Sequence, residues 1–326
     1  MSWNPARLAA PFILGALAAM PAYGFDIEGH RGARGLAPEN TLAAFRLAIE
    51  LGVDTIETDL GVTRDNLLVI SHNQRLFAAI TRDAQGRYLV GEAPRIHDLT
   101  FAQLQRYDVG RVDPHSDYAR LFPRQKPSDG ERIPTLQALI DMVKAAERPI
   151  RLNLETKLTP EAPDDAPAPE AFARLVVDQL QAAGVAARVT IQSFDWRTLV
   201  AVKRMAPNLR TSCLTIEASN TNNVATRNGR ASPWTAGLSL AEVNGSVPQL
   251  VKNANCDVWS PFHRNVTPER IAEAHRLGLA VLPWTVNDEA DMARLIDAGV
   301  DGLISDYPDR LREAVARAAS AVNVKR

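Results

Sequence analysis

From Phe25 onward, short apolar runs rich in β-branched residues alternate with polar loops and with stretches whose apolar residues recur every three or four positions. This alternation fits a parallel sheet in which a helix returns the chain after each strand. Strand-like runs fall at about 27–32, 53–60, 150–156, 188–193, 209–214, 256–260, 279–285 and 302–305. Helical patterns lie between them, at about 41–51, 135–146, 169–183, 196–205, 268–277 and 289–298. About eight strands in roughly 300 residues match an eight-stranded parallel β/α barrel of the TIM type, whose usual size is ~250 residues plus insertions. A doubly wound open sheet is the alternative, but its glycine-to-acid fingerprint is missing. Asn40 is the expected N-cap of the first helix, and Gly52 its stop.

Two departures from the alternation stand out. After the second strand, Thr63-Arg64-Asp65-Asn66 separates two apolar runs, the pattern of a tight antiparallel reversal. Residues 74–132 then form a mixed, Arg- and Pro-punctuated stretch with one short helical candidate at 101–107. A stretch of this length inside a compact domain is expected to be an inserted lobe over the site. The domain reading is therefore a single catalytic barrel over 25–326, carrying a lobe at about 74–132.

The first 24 residues differ from the rest. Arg7 is followed by an uncharged apolar run from Leu8 to Met20 and by small residues before Phe25, as in a cleaved secretory signal peptide. The run is short for a membrane span, so an uncleaved anchor is the weaker reading. Export to the periplasm or the medium is expected, without stable membrane insertion after cleavage. In such a compartment Cys213 and Cys256 have one possible pairing, and two separate core thiols are the alternative. A formal net charge of −1 and the lack of a long basic run give no electrostatic footprint for nucleic acid or an anionic membrane.

The chemistry begins in the segment Gly29 to Asn73. Glu57 and Asp59 are two apart in a strand, so both point to one face. With the reversal centred near Arg64 and Asp65, residues whose numbers sum to about 129 oppose each other, which brings His72 back beside Glu57 and Thr58. In a barrel, function gathers where strands end and βα loops begin. His30 and Arg31 fall there, as do Glu57 and Asp59; Asn153, Glu155 and Lys157 alternate on one face of the third strand; Gln192 ends the fourth and Trp284 the seventh. Buried without a function, Glu155 and Lys157 would carry a large desolvation penalty.

Three carboxylates, Glu57, Asp59 and Glu155, form an oxygen-rich set suited to one divalent cation, Ca²⁺ or Mg²⁺, rather than zinc. Ion pairing with Arg31 and Lys157 is the competing reading, and the two are compatible. His30 and His72 offer a general acid and a general base, while Arg31, Lys157, Gln192 and Trp284 are candidates for holding an anionic small-molecule substrate. Glu39 is placed to tie down Arg31 or to cap the helix. His97, His115, His263 and His275 lie in loops or on a helix with no evident partner and read as surface histidines.

Taken together, GHRG at 29–32, PENT at 38–41, ETD at 57–59, ETK at 155–157, QSF at 192–194, PWTVN at 283–287 and SDYP at 305–308 make the chain resemble the glycerophosphodiester phosphodiesterases. The motifs run from Gly29 to Pro308. The resemblance implies a β/α barrel and a divalent metal at Glu57, Asp59 and Glu155, with His30 and His72 as acid and base. It also implies hydrolysis of glycerophosphodiesters to sn-glycerol 3-phosphate and an alcohol such as choline or ethanolamine, through attack by the glycerol 2-hydroxyl. One departure is Asn73, where many relatives carry Asp after the histidine. Three other readings share parts of the pattern: a phospholipase-D-like barrel acting on lipid, a glycoside hydrolase with paired carboxylates, and an exported barrel that binds a phosphate ligand without turnover.

Overall fold

The computed structural model describes residues 24–226 and 228–324, so the expected signal segment lies outside the described residues apart from Gly24. The first strand, β1 (Asp26–Gly29), leads to helix α1 (Leu42–Leu51), and β2 (Thr55–Val62) reverses into β3 (Leu68–Ile70). Two short helices follow, α2 (Phe101–Leu104) and α3 (Asp117–Leu121), then α4 (Leu136–Ala145). Strands and helices alternate from there: β4 (Arg151–Thr156), α5 (Pro169–Ala183), β5 (Val189–Ser193), α6 (Trp196–Met205), β6 (Arg210–Thr215), α7 (Val247–Asn253), β7 (Val258–Pro261), α8 (Pro268–Arg276), β8 (Ala280–Val281), α9 (Glu289–Asp297), β9 (Gly302–Ser305) and α10 (Pro308–Val324).

Eight parallel strands run in the order β8-β7-β6-β5-β4-β2-β1-β9, with β3 antiparallel to β2 outside this path. The barrel is nearly closed by backbone bonds across the last seam, Asp301 N–H to Val281 O at 3.0 Å and Ile304 N–H to Pro283 O at 3.0 Å. The open-sheet alternative is thereby set aside. The main core lies between strands and helices, where Ile56, Leu154 and Ile191 pack in one cluster with Phe45, Phe172 and Trp196. A smaller cluster of Val69, Leu76, Ile96, Leu104, Val109 and Ile133 lies beneath the segment after the hairpin, giving that segment a core of its own.

Several local expectations are corrected. The first strand stops at Gly29 because Arg31 (φ 50°) and Gly32 (φ 85°) turn the backbone into the left-handed region. Gly32 is required there, since an added Cβ would sit 2.8 Å from the Ala44 carbonyl carbon. The N-cap of α1 is Thr41, whose side chain accepts from Ala44 N–H. Asn40 is itself left-handed (φ 57°) and turns its amide toward β2. Helix α2 ends at Leu104 under a Thr100–Gln103 capping box, shorter than the expected 101–107. Helices α7 and α10 have no counterpart among the helical patterns of the sequence; both begin with a proline in the first turn or at its edge. In the hairpin Leu60 pairs with Ile70 and Val62 with Leu68, so opposed residues sum to 130, close to the expected register.

Cys213 and Cys256 form a disulfide that joins β6 to the chain just before β7, across 43 residues of sequence. Closing a loop of this size in the unfolded chain removes entropy worth about 4 kcal/mol in the loop-closure account. The double variant Cys213→Ala/Cys256→Ala is therefore expected to melt at a lower temperature in oxidising buffer, and a reductant should lower the parent's midpoint while leaving the variant's unmoved.

Candidate active site

The C-terminal ends of β1, β2, β4 and β5 bring the polar residues together. Parallel pairing aligns Asp59 of β2 with Glu155 of β4, and Glu155 with Gln192 of β5, so their side chains meet inside the barrel mouth. Glu57, Asp59 and Glu155 are all buried, and each offers an oxygen within 4.8 Å of the others'. Each carboxylate is also held by a separate partner. Glu57 accepts from Gln192 Nε2 at 2.7 Å and from the Arg31 backbone N–H at 3.0 Å. Asp59 Oδ2 accepts from Asn40 Nδ2 at 2.9 Å, and Asn40 Oδ1 in turn accepts from Thr58 Oγ1 at 2.8 Å. Lys157 Nζ donates to Glu155 at 2.8 Å and lies 3.7 Å from Asp59 Oδ1.

That last oxygen, Asp59 Oδ1, is buried and has no hydrogen-bond partner among the described residues. A buried carboxylate oxygen left without a hydrogen bond, on a residue clustered with two other carboxylates, is what a hard cation would satisfy. The residues present therefore fit a divalent metal. Electrostatics agree: burial, with the Asp59 charge adding, pushes Glu57 well above the usual carboxylate range. Burial likewise raises Glu155 to about 7, against the pull of Lys157. Burial also opposes the charge on Asp59, but His72, Arg31 and Lys157 outweigh it and hold its pKa well below the ordinary value.

His30 stands at the first turn after β1, with Nε2 3.8 Å from Glu57 and Nδ1 2.7 Å from Asp306 Oδ1. Because a carboxylate only accepts, Nδ1 carries the proton and the Nε2 lone pair faces the site. Burial, then the charge of Arg34, lowers the pKa of His30 to about 4. Asp306 is fixed from three sides: it also takes a fork from Arg34 (2.7 and 3.0 Å) and a bond from Asn287 Nδ2 (2.7 Å). Burial works against its ionisation, yet Arg34 and His30 keep it in the charged form.

His72 follows the return strand. Its Nδ1 meets Asn73 Oδ1 at 3.0 Å, so the amide oxygen at this position supplies the acceptor that an aspartate would. Burial, then Arg31 and Lys157, lower its pKa. Arg31 Nη1 donates to Glu39 at 2.9 Å, and its Nε lies 3.3 Å from Asp59. Glu39 therefore holds Arg31, leaving the cap of α1 to Thr41. Trp284 donates to Ser260 O at 3.0 Å and packs edge-on against Phe194, with ring centroids 5.3 Å apart. Together with His72, Lys157, Glu155 and Trp234 these rings line a cavity of about 580 Å³ beside the carboxylates. Gln192 is turned away from that cavity toward Glu57, and it accepts from Asn153 at 3.1 Å.

Sequence reasoning assigns no site role to Asp306, Asn287, Arg34 or Asn40. All but Arg34 lie within conspicuous motifs, SDYP, PWTVN and PENT, but their partners are far away in sequence. Among the other histidines, His275 meets Asp301 at 2.9 Å and His97 meets the Val62 carbonyl at 3.2 Å, while His263 is buried with its Nδ1 3.6 Å from Asp291. His275 is thus on the surface as expected but not unpartnered, His97 is half-buried and bonded, and His263 is buried rather than on the surface.

A β/α barrel whose mouth gathers three carboxylates able to hold a metal, two histidines and two basic side chains is suited to chemistry on an anionic phosphate ester. The chain belongs to the glycerophosphoryl diester phosphodiesterase family, which it matches over residues 30–310. It is 28% identical over 295 residues to a glycerophosphodiester phosphodiesterase of Caldanaerobacter subterraneus, covering 89% of this chain and 98% of that protein. Against the glycerophosphodiester phosphodiesterase of Bacillus subtilis it is 29% identical over 285 residues, covering 86% and 83% respectively. A crystal structure from Silicibacter pomeroyi DSS-3 superposes with a TM-score of 0.80 at 34% identity, over 91% of this chain and 94% of that one. An Oleispira antarctica phosphodiesterase, solved in complex with the product sn-glycerol-3-phosphate, shares the fold with a TM-score of 0.64 at 22% identity, over 89% and 96%.

Proposed function

We propose that the protein hydrolyses glycerophosphodiesters to sn-glycerol 3-phosphate and a free alcohol, in a reaction that depends on one divalent cation, Ca²⁺ or Mg²⁺. The observation that carries this reading is the buried cluster of Glu57, Asp59 and Glu155, with His30 3.8 Å from Glu57 and His72 lining one cavity with Glu155. Glu57, Asp59 and Glu155 would hold the cation, which when bound would supply Lewis acidity toward the phosphate. Arg31 and Lys157 add positive charge around the same phosphate. His30, with its Nδ1–H committed to Asp306, presents Nε2 as the base that takes the proton of the glycerol 2-hydroxyl as it attacks phosphorus. His72 gives a proton to the departing alcohol oxygen. The negative substrate offsets the Arg31 and Lys157 charges that otherwise depress its proton affinity. The roles reverse when water opens the resulting cyclic phosphate. The product complex of the Oleispira phosphodiesterase, which shares this fold, supports the choice of product.

The test is release of glycerol 3-phosphate from glycerophosphocholine and glycerophosphoethanolamine, followed with a coupled dehydrogenase in added Ca²⁺ or Mg²⁺. Turnover is expected with at least one of them, and folded, metal-supplied protein that releases nothing from either overturns the proposal.

We also place the mature enzyme in the periplasm or the medium. The apolar segment ahead of Phe25 and the Cys213–Cys256 disulfide support an oxidising destination. Among the described residues no helix is long and apolar enough to cross a membrane.

A further inference from the structure

Helix α3 comes from the inserted segment, far from the barrel strands in sequence, yet Tyr118 on it reaches the catalytic mouth. Its ring lies edge-on to Phe77 (centroids 5.0 Å apart) and to Phe122 (5.2 Å). The hydroxyl leaves this aromatic cluster and makes two bonds. It donates to Glu39 Oε2, whose other oxygen accepts from Arg31 Nη1. It accepts from Arg34 Nη1 at 3.3 Å, and Arg34 is the residue that forks onto Asp306 behind His30. The Arg34 guanidinium also lies over the Phe122 ring, 4.6 Å from its centroid.

We propose that Tyr118 is a positioning residue of the phosphodiesterase reaction: its hydroxyl ties the inserted lobe at once to Arg31 through Glu39 and to the Asp306–His30 pair through Arg34. The inference rests on the function proposed above. Two sets of contacts separate the hydroxyl's part from that of the fold. The ring's contacts with Phe77 and Phe122 need no oxygen, so they account for packing alone. The lobe's attachment is carried elsewhere as well, by Gln125 Nε2 to Arg34 O at 2.7 Å and Lys126 N–H to Leu36 O at 2.9 Å. What remains for the oxygen is the orientation of Glu39, which holds Arg31, and of Arg34, which holds Asp306 behind His30. Burial, with the Glu39 charge adding, raises the phenol's pKa, so the hydroxyl stays a donor through the neutral range. A docked lobe thus sets both groups together, the kind of support that holds a reacting geometry to within about half an ångström.

The test is Tyr118→Phe in the full chain, assayed on glycerophosphocholine at saturating metal. The expected result is a kcat about tenfold lower, with KM within about twofold and a thermal midpoint within about 2 °C of the parent. In a double-mutant cycle with Glu39→Gln, the combined loss should be smaller than the product of the single losses, because both changes cut one chain of contacts. The proposal is overturned if Tyr118→Phe keeps kcat within twofold of the parent, if its loss is matched by a fall in thermal midpoint, or if the cycle is fully multiplicative. A parent inactive on every glycerophosphodiester refutes the function itself, which is a different outcome.

Discussion

Replacing His30 with alanine should lower kcat about 10³-fold, the middle of the range for losing a positioned acid or base, with little change in the far-ultraviolet circular dichroism. The imidazole is surrounded by groups that gain nothing from its absence: Glu57 at 3.8 Å and Asp306 at 2.7 Å are both anchored by other donors. The more discriminating change is Asp306→Asn. An amide at 306 can turn its NH₂ toward Nδ1, and the ring then carries its proton on Nε2, where the lone pair is needed. A loss of about 10²-fold or more is expected from the wrong tautomer alone. The same amide would meet Arg34 Nε, which in the parent donates to that oxygen, and the change removes the buried charge that Arg34 pairs with. The variant should therefore also melt below the parent, and turnover is compared at a temperature where circular dichroism shows both folded. Parental kcat in Asp306→Asn would show that the pair does not set the tautomer.

Glu155→Gln should weaken metal binding about 100-fold, since even partners behind a metal ligand are worth 10- to 100-fold, and a high metal concentration should restore part of the activity. The pH dependence gives this result a second reading. Without metal, burial raises Glu155 to about 7 and holds Glu57 well above its ordinary value. Below pH 7 Glu155 holds a proton that a cation must displace, so affinity rises as pH increases toward 7. Above 7 Glu155 is already ionised and its share of the proton release disappears. Titration calorimetry in buffers of different ionisation enthalpy counts these protons directly. Proton release that is the same at pH 6 and pH 8 would remove Glu155 from the metal site.

The fold is legible in the sequence because its signal is periodic. A two-residue alternation in β4, with Asn153 and Glu155 on one face and Leu152 and Leu154 on the other, states both the strand and its inward side. The carboxylates and His72 are legible for the same reason, since strand geometry and a hairpin register convert sequence spacing into direction. Where the relation is not local, the sequence is silent. Asp306 lies 276 residues from His30, and nothing in SDYP says which barrel strand it faces. Asn40 misleads because its type suits an N-cap. The left-handed turn at Arg31 and Asn40 instead releases the amide to Asp59 and hands the cap to Thr41. Tyr118 is opaque for a third reason: a short helix in an irregular stretch carries no period from which to infer its facing.

The barrel interior is polar, and this divides the strands by function. From Glu57 a hydrogen-bonded line runs inward through Gln192 and Asn153 to Glu28, a buried acid raised by its burial to about 8. Their alternate neighbours, Ile27, Ile56, Leu152 and Ile191, face the helices instead. Adjacent positions on one strand thus answer to different selective demands. A change at an outward position threatens how much folded protein a cell holds, and a change one residue along threatens what each molecule can do. Drift in these strands should therefore proceed in two nearly independent registers, letting the helical shell diverge widely among relatives while the interior line stays fixed.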